Sequence, residues 1–242
     1  MPDKKKTTAI PGQPDNSTSA IASEYDSHIR TVVPFYEMLT AEVFDLIAAL
    51  KPAPEVWLDT GCGTGYLVEQ ALKLFPRTQF VLADPSSAML DVAKSRLKDK
   101  GEGRVHFLPA ANSSDLSKFT LKIKPQVITA ILCHHYLKKE EKLGTIKTCY
   151  ELLNNGGVYL TVEHTMALNE AARQINMARW RRFQLDQGRS EPEVDKHLAR
   201  CGTAFFPITA AEQIQLLLTG GFHTAEVYWQ SFVSSGFYAL KA

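Results

Sequence analysis

The chain has 242 residues, 45% of them hydrophobic and 22% charged, which is ordinary for a soluble globular protein long enough to bury one large core. Lys+Arg 27 against Asp+Glu 26 leaves a net charge of +1, so no overall field recruits nucleic acid or an anionic membrane. No apolar run reaches the roughly 18 residues of a membrane span, and Cys62, Cys133, Cys149 and Cys201 show no CxxC spacing, against both a zinc site and a disulfide framework.

Residues 1 to about 20 are polar and Pro-rich, with too few large apolar groups to offset ordering entropy, and are expected to form a disordered tail. The basic start, Met1 to Lys6, is not followed by the apolar core of a signal peptide, which points to a cytoplasmic protein. One domain is expected over 21–242. Leu39, Val43, Leu46, Ile47 and Leu50 recur at helical spacing until Pro52 and Pro54. Strands are then expected at 56–58, 79–83, 105–108, 127–132 and 158–162. Helices alternate with them, marked by Leu67 to Phe75, Met89 to Leu97 and Leu143 to Leu153. This alternation predicts a doubly wound, mostly parallel α/β sheet. Residues 168–200 read as helical, an insertion running to about 205, with capping boxes at Ser190/Glu193 and Thr209/Glu212. Two strands at 224–232 and 236–241 are too close for a crossover and must be antiparallel neighbours.

The first strand runs into Asp59-Thr60-Gly61-Cys62-Gly63-Thr64-Gly65-Tyr66. Glycines there let the backbone turn tightly beside a ligand, at the strand ends where open α/β sheets bind cofactors. A dinucleotide fingerprint would need its third glycine at position 66, where Tyr66 stands, and the G-K-[ST] of a Walker loop is absent. Asp59 would repel a pyrophosphate and attract an ammonium group. Asp84, ending the second strand, suits two ribose hydroxyls, and the Asn112 amide suits an adenine edge. Ammonium, ribose and base contacts with no phosphate seat describe S-adenosylmethionine.

Here the chain resembles the class I S-adenosylmethionine-dependent methyltransferases. The resemblance rests on Leu58 to Gly65, on Ala83-Asp84-Pro85-Ser86-Ser87-Ala88-Met89-Leu90 and on Leu153-Asn154-Asn155-Gly156-Gly157. It implies a Rossmann-like methyltransferase sheet of seven strands whose last strand is antiparallel. A second resemblance is to the carboxy-S-adenosylmethionine synthase branch. It rests on Ile29-Arg30-Thr31-Val32-Val33-Pro34-Phe35-Tyr36, similar to that branch's N-terminal lid, and on the end from Gly221-Phe222 to Lys241. That branch holds an extra carboxylate with an arginine in the insertion. Counting back without gaps from Gly221 places Leu198 there, with Arg200 two residues on, and this favours plain methyl transfer.

The cofactor-binding candidates are therefore Tyr25, Arg30, Tyr36, Asp59, Gly61, Cys62, Gly63, Gly65, Asp84, Pro85, Met89, Asn112, Ser113, Leu132 and Cys133. Met89 approaches adenine by the resemblance and Tyr36 touches cofactor by it; Leu132 and Cys133 flank the base or simply pack. Arg30 either holds the cofactor carboxylate with its guanidinium fork or makes a surface salt bridge. His134, His135, Glu163 and His164 follow the fourth and fifth strands and are the candidates for a catalytic base. Adjacent residues point apart, so at most one of the first two should serve. No carboxylate cluster supports a metal. Arg179-Trp180-Arg181-Arg182 is the one basic, aromatic cluster, read as a solvated helix face with Trp180 in the core, or as a nucleic-acid contact.

The expected protein is a methyltransferase with a small-molecule acceptor, an N-terminal lid, and an acceptor pocket or homodimer contact built by the insertion. A tRNA-modifying enzyme, a carboxy-S-adenosylmethionine synthase and a non-catalytic cofactor-binding protein stay open as alternatives.

Overall fold

The computed structural model describes residues 20–101 and 103–242. The tail expected over 1–20 lies outside the described residues except for Ala20. The elements run in the order α1 (Tyr25–Val32), α2 (Tyr36–Ala49), β1 (Val56–Thr60), α3 (Tyr66–Leu74), β2 (Gln79–Ala83), α4 (Ser87–Leu97), β3 (Val105–Phe107), β4 (Val127–Ile131), α5 (Lys139–Leu152) and β5 (Val158–Met166). They continue as α6 (Glu170–Asp186), α7 (Glu191–Leu198), β6 (Ile208–Thr209), α8 (Ala210–Thr219), β7 (Thr224–Gln230) and β8 (Ser234–Leu240).

The strands form one sheet in the order β3-β2-β1-β4-β5-β8-β7, with the two-residue β6 beside the end of β5. β1 to β5 pair in parallel, whereas β8 runs antiparallel to both β5 and β7. The expected mostly parallel sheet with an antiparallel final strand is present. The hairpin strands differ by about two residues from their expected bounds, β7 ending at Gln230 and β8 beginning at Ser234, and a bulge at Val227/Trp229 shifts the register between them. Neither β6 nor the short 3-10 turn Ser113–Lys118 has a periodicity that betrays it in sequence.

Alternate strand residues feed opposite faces. Trp57, Phe80, Leu82, Val127 and Leu160 meet Leu39, Val43, Ile47 and Val68 of α2 and α3 on one side. Leu58, Val81, Ile128, Tyr159 and Phe237 meet Ile146, Cys149 and Leu217 of α5 and α8 on the other. With both faces covered, every β1 residue is buried, and the polar Asp59 goes down with its apolar neighbours.

The helical insertion folds as two helices, and both expected capping boxes close. The Ser190 N–H donates to Glu193 Oε2 at 2.9 Å, and Glu212 N–H donates to Thr209 Oγ1 at 3.1 Å. Trp180 of α6 packs with Phe205 and Val233 in a third, smaller core. Its indole N–H donates to the Val32 carbonyl at 2.6 Å, which ties the insertion to the end of α1. Among the described residues no helix is long and apolar enough to cross a membrane.

Candidate functional site

The carboxyl ends of β1, β2, β4 and β5 carry Asp59, Asp84, the 132–135 turn and Glu163-His164. Asp59 and Thr129 are direct partners across the β1–β4 ladder. The Thr129 hydroxyl donates to Asp59 Oδ1 at 2.6 Å and accepts from the Trp57 indole N–H at 2.8 Å. Burial pushes the Asp59 carboxyl up to about 7; the Thr129 bond opposes the rise and the Asp84 charge adds to it. A carboxylate in this position gains most from a cation brought to it.

Asp84 accepts from the Gly63 N–H at Oδ2 and from the Ser86 N–H at Oδ1, both at 2.8 Å. Those bonds orient the carboxylate at the cavity that it lines. Ser86 caps α4 by accepting from the Met89 N–H at 3.0 Å. Gly61 has φ +65°, and a Cβ there would stand 2.5 Å from Cys133 Cβ. The glycine is demanded by both the backbone angle and the approach of the β4 end. Leu132 itself takes φ +56°, a strained angle for a leucine where β4 hands over to the turn.

Three adjoining hollows lie here. A cavity of about 270 Å³ is lined by Gly61, Gly63, Asp84, Pro85, Met89, Asn112, Ser113, Cys133 and His134, with Tyr25, Leu132 and Tyr136. A second of about 40 Å³ is lined by Tyr36, Asp59, Cys62 and Thr64, again with Tyr25 and Leu132. A third of about 20 Å³ is walled by His28, His135, His164 and His197 and shares Tyr25, Leu132 and Tyr136 with the first. The paired cavities give a cofactor room for a base and ribose at Met89, Asn112 and Asp84, and for an amino-acid end at Asp59. The donor set therefore fits S-adenosylmethionine.

Of the residues singled out from sequence, Arg30, Gly65 and Glu163 line none of these hollows. The Arg30 guanidinium ion-pairs with Glu37 at 2.7 Å and lies over the Tyr36 and Tyr66 rings, which is the surface salt bridge of the two expected roles. Gly65 instead lets α4 come close, since a Cβ there would meet Ala93 and Leu97 at 3.1 Å.

Glu163 acts from behind the turn. It accepts from the His134 N–H at 3.2 Å, the His135 N–H at 2.6 Å and the Thr161 hydroxyl at 2.6 Å, and its Oε2 lies 3.1 Å from His135 Nδ1. A carboxylate only accepts, so this contact assigns the ring proton to Nδ1 and leaves Nε2 as the bare nitrogen. The two adjacent histidines do point apart: His134 lines the large cavity and His135 the histidine chamber. His134 bridges the Tyr159 phenol at 3.0 Å and the Ser113 hydroxyl at 2.9 Å. Burial pushes His134 down to about 4, and His135 and His164 to about 3, so all three rings are neutral at pH 7. Cys133, His134 and Glu163 lie within 4.8 Å of one another, but protein hydrogen bonds already engage all three.

Sequence reasoning missed His28, His197, Tyr136 and Thr129, which carry no motif and meet the site only by folding, and gave no role to Thr64 although it lies within the glycine loop. His197 Nδ1 is buried without a hydrogen-bond partner. In the basic cluster, Arg181 is paired with Glu191 and Asp195, each at 3.0 Å, and Arg179 lies over the Phe232 ring.

The family profile described as "Methyltransferase domain" matches residues 58–159, from β1 to β5. A carboxy-S-adenosyl-L-methionine synthase from Desulfotalea psychrophila is 27% identical over 252 residues, covering 100% of this chain and 99% of its own. One from Campylobacter lari is 24% identical over 221 residues, 91% of this chain and 92% of its own. Among solved structures, an O-methyltransferase family protein from Burkholderia thailandensis superposes with a TM-score of 0.62 at 15% identity over 91% of this chain. The chain spans only 59% of that protein's length. The fold is that of the class I S-adenosylmethionine-dependent methyltransferases, and residues 58–159 match the methyltransferase-domain profile.

Proposed function

We propose that this chain, a class I S-adenosylmethionine-dependent methyltransferase, methylates a hydroxyl of a small molecule presented at the histidine-lined chamber, with His135 as general base. The observation that carries this reading is the contact of His135 Nδ1 with Glu163, which leaves a neutral, proton-accepting Nε2 on a ring lining the chamber beside the cofactor cavity.

Bound S-adenosylmethionine supplies an electrophilic methyl group on its sulfonium. Asp84 binds the ribose hydroxyls, Asp59 the ammonium end, and Met89 with Asn112 and Ser113 the base. The Gly61 and Gly63 backbone lets the cofactor approach, Cys62, Tyr36 and Tyr25 close around it, and Leu132 and Cys133 form the floor at the end of β4. Orienting an acceptor oxygen and excluding water provide up to about 7–11 kcal/mol of the barrier reduction in favourable cases. His135 Nε2 takes the acceptor proton, and Glu163 offsets the cost of the imidazolium so formed. His134, hydrogen-bonded through both nitrogens, positions Ser113 rather than acting as a base. The chamber admits only a water-sized group while α1 is closed, so α1 serves as the lid and the reacting end of the acceptor enters as it moves. The net charge of only +1 and the ion-paired Arg181 favour a small molecule over nucleic acid. A homodimer through the insertion remains a proposal, for which exposed Leu168 and Ile175 offer apolar surface.

A second reading is synthesis of the carboxylated cofactor. The position of Arg200 favours it, because its guanidinium acts on the Tyr136 phenol, and Tyr136 walls both the large cavity and the chamber. It agrees with the names of the two relatives above. Mass spectrometry of cofactor extracted from the purified protein separates the readings: the heavier, carboxylated species replaces methyl transfer with carboxyl-group chemistry.

Three outcomes are expected. His135→Gln lowers kcat by about 10²–10⁴-fold with cofactor affinity unchanged, measured by label transfer to a panel of small hydroxylated acceptors; an active variant rejects the base, and a wild type inert on every acceptor rejects the enzyme. Asp84→Ala weakens S-adenosylmethionine binding by about 1–3 kcal/mol by calorimetry. The ammonium must hold Asp59 ionised, so binding below a pH of about 7 releases a proton and affinity falls as pH drops through about 7. Affinity also falls above the α-amino range of about 7.7–8.0, giving a maximum between the two limits. A flat profile across pH 6 to 7, at about 25 °C, excludes Asp59 as the ammonium partner.

A further inference from the structure

Tyr25 reaches all three hollows, yet it belongs to α1, a helix of eight residues, too short to hold itself in place. Its far end is pinned by the Trp180 bond to Val32. Its near end is held by the residue next to Tyr25. Asp26 Oδ1 accepts from the Thr64 hydroxyl at 2.6 Å, and Asp26 Oδ2 ion-pairs with Arg96 of α4. Arg96 closes the triangle by donating to Thr64 Oγ1 at 3.1 Å. Thr64 sits inside the glycine loop, between Gly63 and Gly65, and is itself buried. Arg96 is held on its outer side by Glu69 at 3.6 Å.

Three separate pieces of chain therefore meet in one polar cluster: the lid, the cofactor loop and the helix that follows Asp84. The Asp26 and Arg96 side chains are 28% and 19% exposed, so their pairing is less screened than a surface salt bridge. The other tie between lid and loop, Arg30–Glu37 with the Tyr66 phenol donating to Glu37 at 3.0 Å, is far more open, at 37% and 63%.

We propose that Asp26, Thr64 and Arg96 form a positioning latch that locks α1 onto the cofactor loop, seats Tyr25 between the cofactor cavity and the acceptor chamber, and must open for the cofactor to enter or leave. The latch rests on the cofactor reading above and is independent of the acceptor and of His135. Its residues act through Tyr25 and the loop, without touching the reacting atoms. Because a closed latch obstructs passage in both directions, breaking it speeds entry and exit together, whereas a merely structural loss would slow entry.

The test is stopped-flow tryptophan fluorescence of S-adenosylmethionine binding to the full-length protein, without acceptor. Arg96→Gln and Asp26→Asn are each expected to raise both kon and koff about tenfold, leaving Kd within a few-fold of wild type. The charge-exchanged double variant, Asp26→Arg with Arg96→Asp, should return both rates toward the wild-type values, which a folding defect would not do. Unchanged rates in Arg96→Gln, a faster koff with slower kon, or a double variant as fast as the single ones would each overturn the latch while leaving the cofactor site standing. A wild type that takes up no cofactor would overturn the site and the latch with it.

Discussion

Burying the Asp59 carboxylate is costly, and the centre of the sheet is organised around that cost. The parallel register of β1 and β4 sets Thr129 opposite Asp59. Trp57, two residues before Asp59 on the same strand, fixes the Thr129 hydroxyl with its indole N–H, so the hydroxyl proton goes to the carboxylate. A one-residue slip between these strands would turn Thr129 to the opposite face and leave the anion without its donor. Even with that donor, burial holds the carboxyl near neutrality, poised between an acid and an anion. An arriving cation would tip the balance toward the anion, which is the physical basis of the proposed ammonium contact.

Glu163 plays the matching part beside the histidine chamber. Its two oxygens take two backbone N–H groups of the 132–135 turn, the Thr161 hydroxyl and one imidazole N–H. It thereby sets the direction of the chain after β4 and the tautomer of His135 at once. The positive φ of Leu132 is the backbone cost of this turn, and the two neighbouring histidines that follow line different hollows. Three buried imidazoles, His135, His164 and His197, and the half-buried His28 then wall a chamber, and the three buried rings meet Trp180 or Phe205 at centroid distances of 5.0 to 6.1 Å. Neutral rings can stack in this way without the repulsion that four imidazolium ions would bring.

The lid and the insertion are physically one device. α1 contributes Tyr25, His28 and Ile29 to the chamber, and α7 contributes His197. Trp180 binds the end of α1 through its backbone carbonyl, so the insertion packs as a wall behind the lid. Asp26 binds the other end to the cofactor loop. A movement of α1 therefore changes the cofactor cavity and the acceptor chamber together.

The order of strands and helices, the glycine turn, both capping boxes and the acidic residues at the ends of β1 and β2 were legible in the chain, because each depends on local periodicity, backbone angle or a spacing of a few residues. Asp59, Asp84 and Gly61 could be named for the same reason. What Arg30 pairs with, which histidine faces which hollow, and how Thr129, His197 and Arg96 join the site were not legible. Those assignments depend on strand register, a strained turn and contacts between segments up to about 150 residues apart, such as Trp180 with Val32. No local pattern records them, because the cost of burying a charge or orienting a ring is decided only when the distant partner arrives.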